Sequence, residues 1–369
     1  MDDLRRRYDE LKARFAVDGG DAGAVIGSIV QKALDEDART IDRRALEARY
    51  RTSDADALAE AVIRRGARRA SAAAGASAAA VTAAEITVLL TAFVDVPIVA
   101  PAVVASIAAD VAYATMLQVH ATYELSIARG APLSPDAADD GYIVLMSALG
   151  IELGEADATK GAQRAAAHHV ERVMKKQGRK VLAAIAKKAA SKQIAKRAAE
   201  RTVLRVLAPG VAIPISAVLG WYATRKALVF ADRQMRRRAA IVQPLLALYD
   251  AAPETPRETV LAALESVMAA PLRGDWAQGQ KDALRHTRSV LGSPADDGFA
   301  ERVARVAEDV AALPAAALGP LGDYLVAAAA LDEVASRDDD YAMAFDAIAR
   351  RTGRPIERAR IAEVRARLA

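Results

Sequence analysis

Cysteine is absent from this 369-residue chain, histidine occurs four times, and aromatic residues make up only 4% of it. Without cysteine there can be no disulfide, no thiolate metal site and no cysteine nucleophile, which fits a reducing, cytoplasmic compartment. Strand-forming runs of β-branched residues are scarce, whereas the strong helix formers Ala, Leu and Arg are abundant, so the expected class is all-α. The first ten residues, MDDLRRRYDE, hold acids beside bases and no apolar core, so no signal peptide is expected. Long apolar runs are missing too. Val206–Thr224 is free of charge for nineteen residues, but Pro209-Gly210 and Pro214 divide it. Val96–Ala109 runs fourteen and contains Pro97 and Pro101. A straight bilayer span needs about 20 apolar residues. The expectation is therefore a buried core helix within residues 86–127 and a short buried hairpin or interfacial segment over 206–224.

What the chain does have is charge, unevenly placed. The net of +4 conceals a block over residues 170–238 with 18 basic and 3 acidic side chains, hence +15, between acidic blocks on either side. Such a block is an electrostatic footprint for something anionic, outside the protein or within its own flanks. From Arg172 to Arg205 there are twelve Lys or Arg against one acid, Glu200. Val173, Met174, Val181, Leu182, Ile185, Ala189 and Ile194 make an apolar stripe at helical spacing. Lys175, Lys176, Arg179, Lys180, Lys187, Lys188, Lys192, Lys196 and Arg197 flank it. A helix of this kind suits an anionic membrane surface, where each basic residue contributes about 1 kcal/mol. It can equally pack its stripe on a bundle and leave a solvated basic face. Nucleic acid fits less well, because no aromatics interleave the bases for stacking and no zinc, RRM or KH signature occurs. Trp221-Tyr222 followed by Arg225-Lys226 has the order of an interface anchor. Trp221, Arg225 and Lys226 therefore join the nine basic positions as the candidate membrane- or anion-binding set.

In chain order, residues 1–69 read as short charged helices, with one ending at Asp18-Gly19-Gly20 and another over Ala22–Asp37. Ser53-Asp54-Ala55-Asp56 is an N-cap with an acidic first turn, opening a helix toward Arg69. Small residues dominate from Ala70, suited to close helix–helix approach. A helix then ends near Asp95 and another starts at Pro97–Pro101; the second runs to Arg129, closed by Gly130 and Pro132. Ser134-Pro135-Asp136 starts a further helix. Residues 239–369 read as a separate helical domain, with starts at Thr255-Pro256-Arg257-Glu258 and Ser293-Pro294-Ala295-Asp296. Val303, Val306, Val310 and Leu313 follow helical spacing, and a break is expected from Pro314 to Pro320.

Candidate chemistry is sparse. Gly20, Gly23 and Gly27 lack the preceding strand and the following Gly-Lys-Ser/Thr of a phosphate loop. His120 and Glu124, four apart, share a helix face and could each ligate a metal, but no third ligand at matching spacing joins them; a polar pair at a helix interface is the favoured reading. His168-His169 point apart. Asp338-Asp339-Asp340 lacks the calcium-loop spacing. Asp95 is expected to cap a helix, and Asp110 to find a basic partner or a wet groove. No cofactor is implied, and an enzyme is the disfavoured class.

Asp95-Val96-Pro97, the long apolar helix running to Tyr123-Glu124, the Lys/Arg-rich helix and the Pro/Gly-broken apolar segment follow one another in a recognisable order. They lead to Ala223-Thr224-Arg225-Lys226-Ala227 and Ala231-Asp232-Arg233. In this order the chain resembles the EcsC family over about residues 65–238. It departs in having Glu124, not glycine, after Tyr123, and in lacking an Asn near Trp221. The resemblance implies a bacterial helical protein, often membrane-associated, and lends no catalytic residues.

The expected architecture is thus a multi-helix bundle with a buried Pro/Gly-broken apolar hairpin and a second helical domain at the C-terminus. Its parts are charged helices over 1–69, an EcsC-like core over 70–238 and a C-terminal domain over 239–369. The expected function is a non-enzymatic protein of the bacterial cytoplasm, peripheral on the inner face of the cell membrane and held to its anionic surface by the basic helix. A protein partner is compatible with this; the alternative is a soluble helical scaffold or nucleic-acid-associated protein.

Overall fold

The computed structural model describes residues 32–33, 35–90, 113–133, 140, 144, 209–269, 283, 287, 299–331, 341–353 and 358–368. Among these residues there are helices and turns and no strand, so the protein is all-α. The chain divides into two compact units: Met1–Ala128 with Pro132–Asp232, and Arg129–Ala131 with Arg233–Ala369.

The described part of the first unit begins with helical residues 32–33 and 35–40 and helix α1, Arg43–Tyr50. Asp42 caps α1 by accepting from the Ala45 N–H at 2.7 Å. Arg51, in the left-handed conformation with φ 55°, ends it. Helix α2, Ala55–Leu90, starts where the sequence signalled: Asp54 Oδ1 accepts from the Ala57 N–H at 2.7 Å. It continues past Arg69 without interruption, so the expected junction at 69–70 falls inside a single helix. Helix α3 covers 113–128 and is buried on nearly every face, from Tyr113 and Leu117 through Ala121, Tyr123 and Leu125 to Ala128. Gly130, with φ 69°, ends it in the left-handed conformation that a side chain resists. Arg43 ties these pieces together: Nη1 donates to the Ala128 carbonyl at 2.7 Å and Nη2 to the Ser53 carbonyl at 2.8 Å.

Helix α4, Pro209–Asp250, corrects the expectation for 206–224. From Pro209 onward there is no hairpin. Pro209 and Gly210 form the first turn, where a missing N–H costs nothing because those donors have no intrahelical partner. Pro214 gives up one hydrogen bond to the Gly210 carbonyl, and the rest of a 42-residue helix outweighs that loss. Nor is the segment buried throughout, since Val218, Leu219, Trp221 and Tyr222 are exposed.

Within the first unit α2 and α4 run antiparallel at very close range. Gly66, Ala70 and Ala74 recur every fourth residue on α2, the small-residue spacing that lets helix backbones approach. A Cβ on Gly220 would lie 2.7 Å from the Ala74 Cβ and 3.3 Å from the Ala70 carbonyl oxygen. One on Gly66 would lie 2.6 Å from Leu228 Cδ1 and 3.4 Å from the Ala121 Cβ. The inward face of α4 is accordingly Gly220, Thr224, Ala227, Leu228 and Ala231.

The second unit takes the end of α4 and adds α5, Arg257–Ala269, and α6, Phe299–Ala311. A 3₁₀ turn, Ala315–Ala317, leads to α7, Leu318–Leu331. Helices α8, Ala342–Thr352, and α9, Arg358–Leu368, follow, and the helical residues Ala283 and Thr287 are buried with them. Helix α5 packs on α6, and α7 on α5, α8 and α9. Helix α7 is the centre: LGPLGDYLVAAAAL has eleven of its fourteen residues buried, because Ala and Leu are apolar on every face and need no solvent side. Val306, Val310 and Leu313 line the core as their spacing predicts. The break expected at Pro314–Pro320 is the 3₁₀ turn after Pro314, with Pro320 accommodated in the first turn of α7. Arg351 of α8 donates to the carbonyls of Val310, Ala311 and Leu313 at 3.2, 2.7 and 3.3 Å, satisfying the end of α6.

Among the described residues no single helix is long and apolar enough to cross a membrane. The pair Arg305–Ala311 and Ala315–Leu331 has the length and composition, but it bends by 114° and most of its second arm is core.

Candidate functional site

Two features of the first unit bring polar side chains together. One is the outward face of α4. Val218, Tyr222 and Val229, at i, i+4 and i+11, form an exposed apolar line, with Val218 64% and Tyr222 63% exposed. Trp221 and Arg225 border it on one side, Leu219 and Lys226 on the other, and all four are exposed. The Arg225 guanidinium lies over the Trp221 ring, 5.6 Å from its centroid. Single exposed apolar residues are ordinary on a protein surface; here Val218, Leu219, Trp221 and Tyr222 are exposed within one turn and a half, with Arg225 and Lys226 beside them.

That face borders a cleft between α2 and α4 of about 470 Å³, lined by Glu60, Arg64, Arg68, Trp221 and Arg225. Each helix contributes an i, i+4 pair: Arg64 with Arg68, and Trp221 with Arg225. The near contact at Gly220 and Ala70 brings the two pairs to one rim. Glu60 Oε1 is 3.6 Å from Arg64 Nη2; among the described residues no carboxylate pairs with Arg68 or Arg225.

The second feature is a polar network that joins α3 to residues 35–40, α1 and α2. His120 Nδ1 lies 2.5 Å from Asp37 Oδ1 and 2.6 Å from Oδ2. Glu124, one turn further along α3, accepts from Arg49 and from the Tyr50 hydroxyl, the latter at 2.8 Å. Arg65 Nη1 donates to the Tyr50 oxygen at 3.3 Å. Burial raises the Asp37 carboxyl above its ordinary value; the hydrogen bond and charge of His120 oppose the shift, Glu36 adds to it and Arg49 opposes it. Burial also raises Tyr50, with Glu124 adding to the effect, and raises Tyr123, with Asp37 adding to it. His120 and Glu124 thus each take partners from another helix, as expected of a polar pair at an interface. No group of three His, Cys, Asp or Glu positioned to hold a metal occurs among the described residues.

Of the sequence-derived candidates, Trp221, Arg225 and Lys226 stand together on the exposed face of α4. Lys175, Lys176, Arg179, Lys180, Lys187, Lys188, Lys192, Lys196 and Arg197 lie outside the described residues, as do Asp95, Asp110, His168, His169 and Asp338–Asp340. Arg64 and Arg68 were not anticipated as partners of Trp221 and Arg225. Their i, i+4 spacing was visible in IRRGARRA, but the helix that would face them was not. Asp37, Arg49 and Tyr50 were likewise unassigned, since their link to α3 is made only in three dimensions. Comparison of the chain with protein-family models, curated proteins and solved structures finds no match.

Proposed function

We propose that this is a non-enzymatic, peripherally membrane-associated helical protein of the bacterial cytoplasm, docking on the anionic inner face of the cell membrane. The observation that carries the reading is the outward face of α4, where Val218, Leu219, Trp221 and Tyr222 are exposed beside Arg225 and Lys226. Amphipathic aromatic rings favour the headgroup level of a bilayer, and cations beside them favour anionic lipid. The +15 charge over residues 170–238 supplies the long-range attraction. The resemblance to the EcsC family carries the same expectation.

The test is flotation with vesicles of phosphatidylcholine alone and with added phosphatidylserine. Only the anionic vesicles bind at low salt, and binding falls steeply as the Debye length shrinks from about 10 Å at 0.1 M to about 3 Å at 1 M. Lys187→Gln, Lys188→Gln, Lys192→Gln and Lys196→Gln together abolish binding while the helical circular dichroism is kept. A wild type that ignores anionic vesicles at low salt but holds DNA tightly overturns the reading in favour of nucleic acid. Binding to neither makes the charge a solvated face or the counterpart of the protein's own acidic blocks.

A further inference from the structure

The cleft between α2 and α4 has the composition of an anion site with a defined valence. Arg64, Arg68 and Arg225 against Glu60 leave a formal charge of +2 at its rim. Planar guanidinium groups bind phosphate oxygens through paired N–H donors, and three of them arriving from two helices can contact different oxygens of one phosphate. Arg68 and Arg225 carry no ion pair among the described residues, whereas Arg64 is shared with Glu60 at 3.6 Å. Trp221 forms an apolar wall and holds the Arg225 guanidinium over its ring, 5.6 Å from the centroid, which limits the freedom that arginine must lose on binding. Trp221 also borders the exposed Val218–Tyr222–Val229 stripe, so a phosphate in the cleft would sit beside the surface read above as membrane-facing.

We infer that the Arg64–Arg68–Arg225 cleft recognises the dianionic phosphomonoester headgroup of a membrane lipid. The inference rests on the membrane reading and adds a specific lipid chemistry to it. A phosphomonoester carries close to two negative charges near neutral pH, because its second proton leaves at a pKa near 6. A phosphodiester headgroup offers one charge on its phosphate and fewer free oxygens. The cleft therefore selects the monoester over the diester at equal surface charge, which the diffuse basic segment cannot do.

The experiment uses the full chain and two sets of vesicles at matched surface charge, one with phosphatidic acid and one with phosphatidylserine. The expected result is tighter binding to phosphatidic acid, on the order of tenfold, as about one charge-assisted hydrogen bond supplies. Arg68→Gln with Arg225→Gln removes the preference and leaves the residual, salt-sensitive binding to both vesicles. Arg69→Gln with Arg233→Gln removes equal charge outside the cleft and keeps the preference. Equal binding of wild type to both vesicles, or a preference that survives Arg68→Gln with Arg225→Gln, overturns the cleft assignment while the membrane reading stands. If neither vesicle binds, the membrane reading has failed. Calorimetry with glycerol phosphate then identifies the source: binding lost in Arg68→Gln with Arg225→Gln assigns the cleft to a free phosphomonoester and overturns the lipid source. No binding overturns the site itself.

Discussion

At Asp37 two opposing effects meet in one carboxyl group. Burial disfavours its ionised form, while His120 and Arg49 favour it, and burial prevails, so the carboxyl sits above its ordinary 3.8. A carboxyl whose pKa is raised on folding contributes stability that is fully present below its unfolded value and lost as pH rises through its folded value. Comparison with Asp37→Asn, which keeps an acceptor for His120, isolates this contribution. Urea unfolding between pH 3.5 and 5.5, about a unit below the ordinary imidazole value, should show the wild type's advantage greatest at the acid end and shrinking upward. An advantage that grows with pH would mean that the pairing outweighs the burial. Glu124 differs, for it gives acceptors to Arg49 and the Tyr50 hydroxyl. Glu124→Ala leaves both donors without it, and denaturation should register a loss of about 1–3 kcal/mol.

Among the helices, α2 and α4 depend on what is missing from their contact. Ala is about 1 kcal/mol better than Gly inside a helix, so Gly220→Ala would stabilise an isolated α4. Here the added methyl meets the Ala74 Cβ and the Ala70 carbonyl, neither of which is a flexible side-chain end that can swing away. Overpacking of this kind costs about 1–3 kcal/mol. The net expectation is a loss of roughly 1 kcal/mol in urea unfolding; a neutral or stabilised variant would show that the backbones are further apart. Helix α7 tests the opposite limit. Leu325 is fully buried in the core of the second unit, and Leu325→Ala should cost about 2–5 kcal/mol by the cavity it leaves.

For the whole molecule, the uneven charge determines the prediction. Attachment supplied mainly by electrostatics is reversed by salt, while insertion of apolar helices is not. After cell fractionation the protein should be found with membranes at low ionic strength and be released by a 1 M salt wash, at which the Debye length is about 3 Å. Retention through the wash would point to insertion; recovery in the soluble fraction before it would remove the membrane from the account.

The all-α class was legible in composition, and several helix ends were legible in local chemistry. Asp54 caps α2 and Gly130 closes α3 because capping is decided within a few residues of the chain. The core face of α6 followed from the spacing of Val306, Val310 and Leu313, since periodicity is a local property. Pro214 misled because a proline's penalty is local while the stability of a long helix is collective: packing along α4 outweighs one lost hydrogen bond. Trp221, Arg225 and Lys226 could be singled out from their order alone. That Arg64 and Arg68 share a cleft with Trp221 and Arg225, and that Asp37 lies against His120, depends on which helices come together and at what rotation. Those choices are made by the mutual fit of small and large side chains over more than eighty intervening residues, and only the tertiary structure decides them.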